Sequence, residues 1–183
     1  MILPIYLYGL STLRQKSEDV PQDYPELKQL IDNMFETMLK AEGVGLAAPQ
    51  IGININLFII DTTSIDDKDE PDLKQFRRIC INPKFTINSD EKRSSEEGCL
   101  SVPGIHENVQ RYTNIKVEYF NENFEPITEI LTLTKAKVFQ HEYDHLQGII
   151  YTDKINILRK KMISNRLNAI TKGKSKQNYK VKK

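Results

Sequence analysis

The stretch His141-Glu142-Tyr143-Asp144-His145 decides the reading of this chain. On a helix, positions i and i+4 share one face, so both imidazoles can reach one metal ion. Glu142 lies beside that face, where it can handle the proton of a water held by the ion. A surface helix that carries these residues by chance is the plain alternative. Two of the chain's three histidines fall inside the pattern, which weighs against chance.

A catalytic site of this kind needs a third protein ligand and an open position. Downstream, Gly148 stands where the extended HExxHxxGxxH pattern has its glycine, but Tyr151 replaces the third histidine. No Glu follows Glu142, and Asp153 is the last acid of the chain. The third ligand is therefore expected upstream, where Cys99 and His106 are the candidates. Cys99 sits in Glu97-Gly98-Cys99-Leu100-Ser101. A thiolate binds borderline-soft cations well, and Gly98 permits a close backbone approach. The bland reading of Cys99 is a buried core thiol, as is expected for Cys80 within Ile79-Cys80-Ile81. His106 follows Pro103-Gly104, seven positions on, and has turned away from the local geometry of Cys99.

A third stretch runs Gly43-Val44-Gly45-Leu46-Ala47-Ala48-Pro49-Gln50-Ile51-Gly52. Its small residues and proline suit a loop lying close to a ligand, with Gln50 as an amide donor. A simple helix-to-strand connection is the alternative.

Around these motifs the chain is that of a single domain. It has 183 residues, 39% hydrophobic and 28% charged, with a mass of 21.2 kDa and a mean hydropathy of −0.50. This excludes disordered and collagenous classes. No apolar run approaches the roughly 18 residues of a membrane span. Residues 1–10 are apolar but lack a basic leader and a cleavage site, and two cysteines make no disulfide framework. The cytoplasm is the expected compartment, with no membrane partner. Residues 154–183 carry eleven Lys or Arg and no acid, which leaves 15 basic and 25 acidic residues in 1–153, a net of −10. An acidic body with a basic end suggests a polyanion-contacting arm without nucleic-acid sequence preference.

Helices are expected over 23–43, 135–147 and 153–171. The first should have Pro25 near its start, Leu39 on its apolar face and Gly43 as its stop. The second should have Thr134 as cap and Gly148 as stop, and the third should place Ile155, Leu158, Met162, Ile163, Leu167 and Ile170 on one packed face. Strands are expected at 55–60, 78–82, 84–88, 115–121 and 127–133, with 61–76 as a solvated acidic loop. The class is α+β, antiparallel strands around a buried helix. Residues 1–172 form the expected catalytic domain, and 173–183 a basic tail expected to fray.

The three motifs, Gly43–Gly52, Glu97–Ser101 and Gln140–His145 with Leu146 and Gly148, together resemble those of the peptide deformylases, over residues 1 to about 155. The resemblance implies antiparallel sheets enclosing a central metal-binding HExxH helix, with an N-terminal and a C-terminal helix. It implies removal of the formyl group from formyl-methionine on newly made chains, with Fe(II) as native metal and Zn, Ni or Co as substitutes. Carried over, Cys99, His141 and His145 are the implied ligands and Glu142 the acid/base. Gln50 and the Leu100 N–H are the implied donors to the formyl oxygen. Gly45 is an implied backbone contact to substrate, and Val44 and Val138 line the methionine pocket. Departures are His106, where many members carry Arg, and Lys137, where many carry an aliphatic residue. For such an enzyme the basic end has a ready polyanion, the RNA of the ribosome from which substrates emerge. Two other readings remain at this point. One is a metallopeptidase with an upstream Cys ligand. The other is a non-catalytic zinc protein whose site is closed by Cys99, His106, His141 and His145.

Overall fold

The computed structural model describes residues 1–183. In chain order the elements are β1 (Ile5–Tyr6), α1 (Leu27–Lys40), β2 (Gly45–Ala47), β3 (Leu57–Asp61), β4 (Arg77–Cys99), β5 (Val102–Phe120), β6 (Pro126–Thr132), α2 (Leu133–Leu146), α3 (Ile157–Thr171) and β7 (Val181–Lys182). Strands β2 to β6 form one antiparallel sheet in sequential order, and β1 pairs in parallel with β7. The class is α+β, and α2, which carries the His-Glu motif, packs on β2, β3, β5 and β6.

The β4–β5 ribbon is longer than the sequence suggests. Residues 89–97 continue β4, and β5 starts at Val102, where a strand was expected only from 115. Most of β4 beyond Phe85 is exposed Ser, Asp, Glu, Lys and Arg, so its apolar signal is weak. Main-chain pairing with β5 holds it instead, with register shifts near Ile81, Ile87, Ser89 and Glu97. β5 itself alternates: Ile105, Glu107, Val109, Arg111, Thr113, Ile115, Val117 and Tyr119 all point inward.

α1 begins at Leu27, not residue 23. Tyr24 precedes a proline, which disfavours helix. Its N–H closes a turn on Pro21 (3.1 Å), and Glu26 takes φ 52°. At the other end Glu42, not Gly43, adopts the left-handed conformation (φ 57°), and the Gly43 N–H returns to Met38 (2.9 Å). Gly43 is needed for space, because a Cβ there would lie 2.7 Å from Leu100 Cδ1. Ile31, Met34, Phe35 and Met38 pack on Leu46, Ile51, Leu57 and Ile59, whereas Leu39 is exposed.

The buried face of α2 is Ala136, Val138, Phe139 and Leu146, set against Phe58, Ile60, Ile115 and Val117. Phe139 meets Phe58 edge-on at 5.1 Å, an aromatic contact worth about 1 kcal/mol beyond its burial.

α3 starts at Ile157, capped by Asn156, whose side chain accepts the Arg159 N–H (3.0 Å). Ile163, Leu167 and Ile170 form its buried stripe over Leu7, Leu13 and Val109. Leu158 and Met162, expected on that face, are each 64% exposed, because they fall outside the i, i+4, i+7 line. The end expected to fray is bound instead: Ile5 and Leu7 donate to the carbonyls of Lys180 (2.9 Å) and Lys182 (3.1 Å).

The acidic segment 61–76 is tethered as well. Leu73 and Phe76 are buried. Glu70 accepts from the Thr134 N–H (3.0 Å) and hydroxyl (2.6 Å), so it caps α2 from outside the helix. Thr132, not Thr134, occupies the cap position and makes no side-chain cap bond. Glu70→Ala should therefore lower stability by about 1 kcal/mol, read as a lower urea midpoint, since a lost cap costs about that much.

Candidate metal centre

His141 and His145 stand one turn apart on α2, with ring centroids 5.2 Å apart. Cys99 ends β4 at a register shift that turns its side chain toward them. Ligand atoms of Cys99, His141 and His145 all lie within 4.8 Å of one another, and the Cys99 sulfur is 3.2 Å from His145 Nε2. One thiolate and two imidazoles suit a borderline-soft divalent ion, and three protein ligands leave a position open. The His141 Nδ1 is bonded to Glu97 Oε2 (2.8 Å), which leaves its Nε2 for the ion. His145 is almost fully buried, with its Nδ1 lacking a partner. His106 is outside the group: it is exposed, and its ring covers Gly98, where a Cβ would lie 2.6 Å from it. The closed four-ligand site is therefore not formed. Cys80 is a core thiol, buried and pushed up in pKa by that burial.

Glu142 is buried, and its Oε2 has no hydrogen-bond partner. Its other oxygen lies against β2: a Cβ on Gly45 would come within 2.2 Å of it. Glycine at 45 thus leaves the room the carboxyl occupies. Burial pushes the Glu142 carboxyl up to about 7, with the charge of His141 opposing; a divalent ion nearby would bring it down. Gln50 is buried, with its amide held at both ends. Its oxygen accepts the Ala47 N–H (2.8 Å), and its nitrogen donates to Ser101 Oγ (3.1 Å) and to the Cys99 sulfur (3.4 Å).

These groups open onto a cleft of about 600 Å³. Val44, Gly45, Gln50, Cys99, Leu100, Val138, His141 and Glu142 line it, as do His106 and Lys137. All the residues singled out from the sequence except His145, which lies beneath, therefore face one space.

The family described as polypeptide deformylase matches residues 2–161. The peptide deformylase of Flavobacterium johnsoniae is 47% identical, over 100% of this chain and 96% of that protein. That of Christiangramia forsetii is 44% identical over the same shares. Among solved structures, peptide deformylase 1B of Arabidopsis thaliana superposes with a TM-score of 0.83 at 32% identity, covering 93% of this chain and 91% of that one. The chain belongs to the peptide deformylase family. Peptide deformylases are metalloenzymes that remove the N-formyl group from nascent peptides, and the metallopeptidase reading gives way to that activity.

Beside Cys99, His141 and His145 this deformylase carries a buried ion-pair network that the motifs do not show. Arg111, pointing inward from β5, grips Glu97 with two bonds (2.8 and 2.9 Å) and also bonds Asp144 of α2. Glu97 in turn orients His141. The signal was available: Arg111 is a cation in the apolar phase of an alternating strand. Burial alone would raise the Glu97 carboxyl, but the bonds from Arg111 and His141 hold it at about 2, below the ordinary 4.5. Burial likewise opposes charge on Arg111, yet Glu97 and Asp144 raise its pKa. Burial disfavours a charged His141 too, but Cys99 and Glu97 hold its pKa well above the ordinary imidazole value. Burial, with His141 and Arg111 nearby, keeps His145 neutral.

Glu97 makes stability depend on pH. Its folded-state value lies below its unfolded one, so the unfolded chain binds the extra proton between them. The stability it contributes is present above pH 4.5 and is lost as pH falls toward 2. For metal-free protein, the stability difference between wild type and Glu97→Gln should shrink by about 3 kcal/mol from pH 6 to pH 2 in urea titrations.

Proposed function

We propose that Cys99, His141 and His145 hold one divalent ion and that the adjoining cleft deformylates the formyl-methionyl end of nascent peptides in the cytoplasm. The buried, unpartnered Glu142 oxygen beside the three-ligand cluster carries this reading. When bound, the ion supplies a Lewis-acid centre for water and for the formyl oxygen.

In this reading the chain's own groups do the rest. Glu142 takes the proton of the attacking water on its carboxylate and passes it to the leaving amine nitrogen as the C–N bond breaks. A carboxyl raised by burial and lowered again by a nearby cation can both take up a proton and give it back. Gln50 Nε2, aimed toward Cys99, and the Leu100 N–H face the charge that grows on the formyl oxygen. One such donor is worth about 3–4 kcal/mol. β2 is an edge strand, so Gly45 offers its main chain to an extended peptide. Val44 and Val138 make the wall for the methionine side chain. A formyl carbon bears only hydrogen, so a close-walled site admits it and rejects larger acyl groups.

Wild-type protein should release formate from formyl-methionyl peptides. Glu142→Gln should keep its metal by elemental analysis and lose about 10²–10⁴-fold in kcat. A metal-loaded variant of near-wild-type rate would sink the role. Gly45→Ala, which crowds the same carboxyl, should also lower kcat more than it raises KM.

The proposed native ion is Fe(II), with Zn(II), Ni(II) or Co(II) able to occupy the same donors. Fe(II) sits low in the affinity order and oxidises readily. Activity should therefore decay on aerobic purification and persist after nickel substitution; a zinc form faster than the iron form would count against iron.

The basic end is proposed to meet ribosomal RNA. Arg159 and Lys160 are tied to Glu107 and Asp153, so Lys161, Lys172 and Lys174 are the cations offered to phosphates. Reversing these three to Glu should weaken co-sedimentation with ribosomes at low salt and flatten its salt dependence. Unchanged binding would reject the contact.

A further inference from the structure

The tail after α3 ends at the cleft. Gly173 takes φ 68°, and the chain then turns back, to be held by the pairing of Val181 with Ile5. Between these points the Tyr179 hydroxyl donates to the Leu100 carbonyl (2.7 Å), 79 residues away. Leu100 follows the ligand Cys99. The next carbonyl, that of Ser101, accepts the Tyr8 N–H (2.8 Å). The turn beside the metal centre is thus held by both chain ends. Lys176, Gln177, Asn178 and Tyr179 line the same cleft as Gly45 and Glu142.

We propose that residues Lys176–Tyr179 form the wall of the cleft that reads the peptide residues following formyl-methionine. The proposal rests on the deformylase reading above. The free edge of β2 accounts for the main chain near the formyl group. A peptide of three or more residues extends beyond it and needs a second surface. Gln177 and Asn178 offer amides that can both donate to and accept from a peptide main chain. Lys176 adds a cation, and Tyr179 locks the segment to Leu100. Residues this far from the reacting carbon act on binding, and binding of remote residues raises kcat/KM for longer substrates.

The test compares formyl-Met amide with formyl-Met-Ala-Ser by formate release. Wild type should show a higher kcat/KM for the tripeptide. In the combined Lys176→Ala, Gln177→Ala, Asn178→Ala variant, which keeps Tyr179 and the β1–β7 pairing, that ratio should fall about ten-fold, mainly through KM of the tripeptide. As a second readout, Glu142→Gln protein should be labelled within 176–179 by a formyl-Met-Ala peptide with a photoreactive benzophenone at its third residue. An unchanged ratio, or labelling confined to other segments, overturns the wall while leaving deformylation intact. If wild type releases formate from neither substrate, the deformylase reading fails and this proposal falls with it.

Discussion

The buried arginine between β4, β5 and α2 is the constraint on which the site depends. Arg111 is 4% exposed and has two carboxylates in contact. A cation in such a place is tolerable only if its partners are fixed, and losing one typically costs about 3–5 kcal/mol. Glu97 comes from the strand that ends at Cys99, and Asp144 from the helix that carries His141 and His145. One side chain therefore sets the distance between the element that brings sulfur and the element that brings nitrogen. Glu97 passes the constraint on through its bond to His141 Nδ1, which fixes both tautomer and ring plane.

From that anchor the chemistry divides between the two faces of α2. Toward the apolar face, Val138, Phe139 and Leu146 seat the helix on the sheet. Toward the cleft, Glu142 fits because the neighbouring strand has a glycine at 45, and its Oε2 has no hydrogen-bond partner. The Glu142 carboxyl is raised by burial, while Glu97, only a few ångströms from the same cluster, is lowered by its cationic partners. Two carboxyls in one site are thus pushed in opposite directions, which suits the proposed proton exchange at Glu142 and a fixed charge at Glu97.

The two chain ends close the same site from outside. β1 and β7 pair with each other, and Tyr8 and Tyr179 each bond a carbonyl in the turn after Cys99. Such a turn, at the end of a two-stranded ribbon with an exposed β4, would otherwise be among the more mobile parts of the sheet. Its double tether gives the Cys99 thiol and the adjacent Leu100 amide a fixed position, which the proposed use of both as preorganised groups requires.

The sequence by itself brought out the candidate donors and the proposed acid/base. His141 and His145 at i and i+4 must share a helix face, and with no Glu and no further His downstream, the third donor had to be Cys99 or His106 upstream. It also gave the α+β class and, Leu39 apart, the core face of α1, because helical periodicity is local. Choosing Cys99 over His106 needed the fold: β4–β5 pairing turns one toward α2 and lays the other over Gly98. The full length of that ribbon was hidden because main-chain pairing leaves no mark on an exposed polar strand. Glu70 and Tyr179 were likewise silent, and Arg111, though a cation in an apolar strand phase, gave no sign of its partners Glu97 and Asp144, since each acts on residues 14 to 79 positions away. Contacts across such separations come into being only when the sheet, the helix and the chain ends have come together.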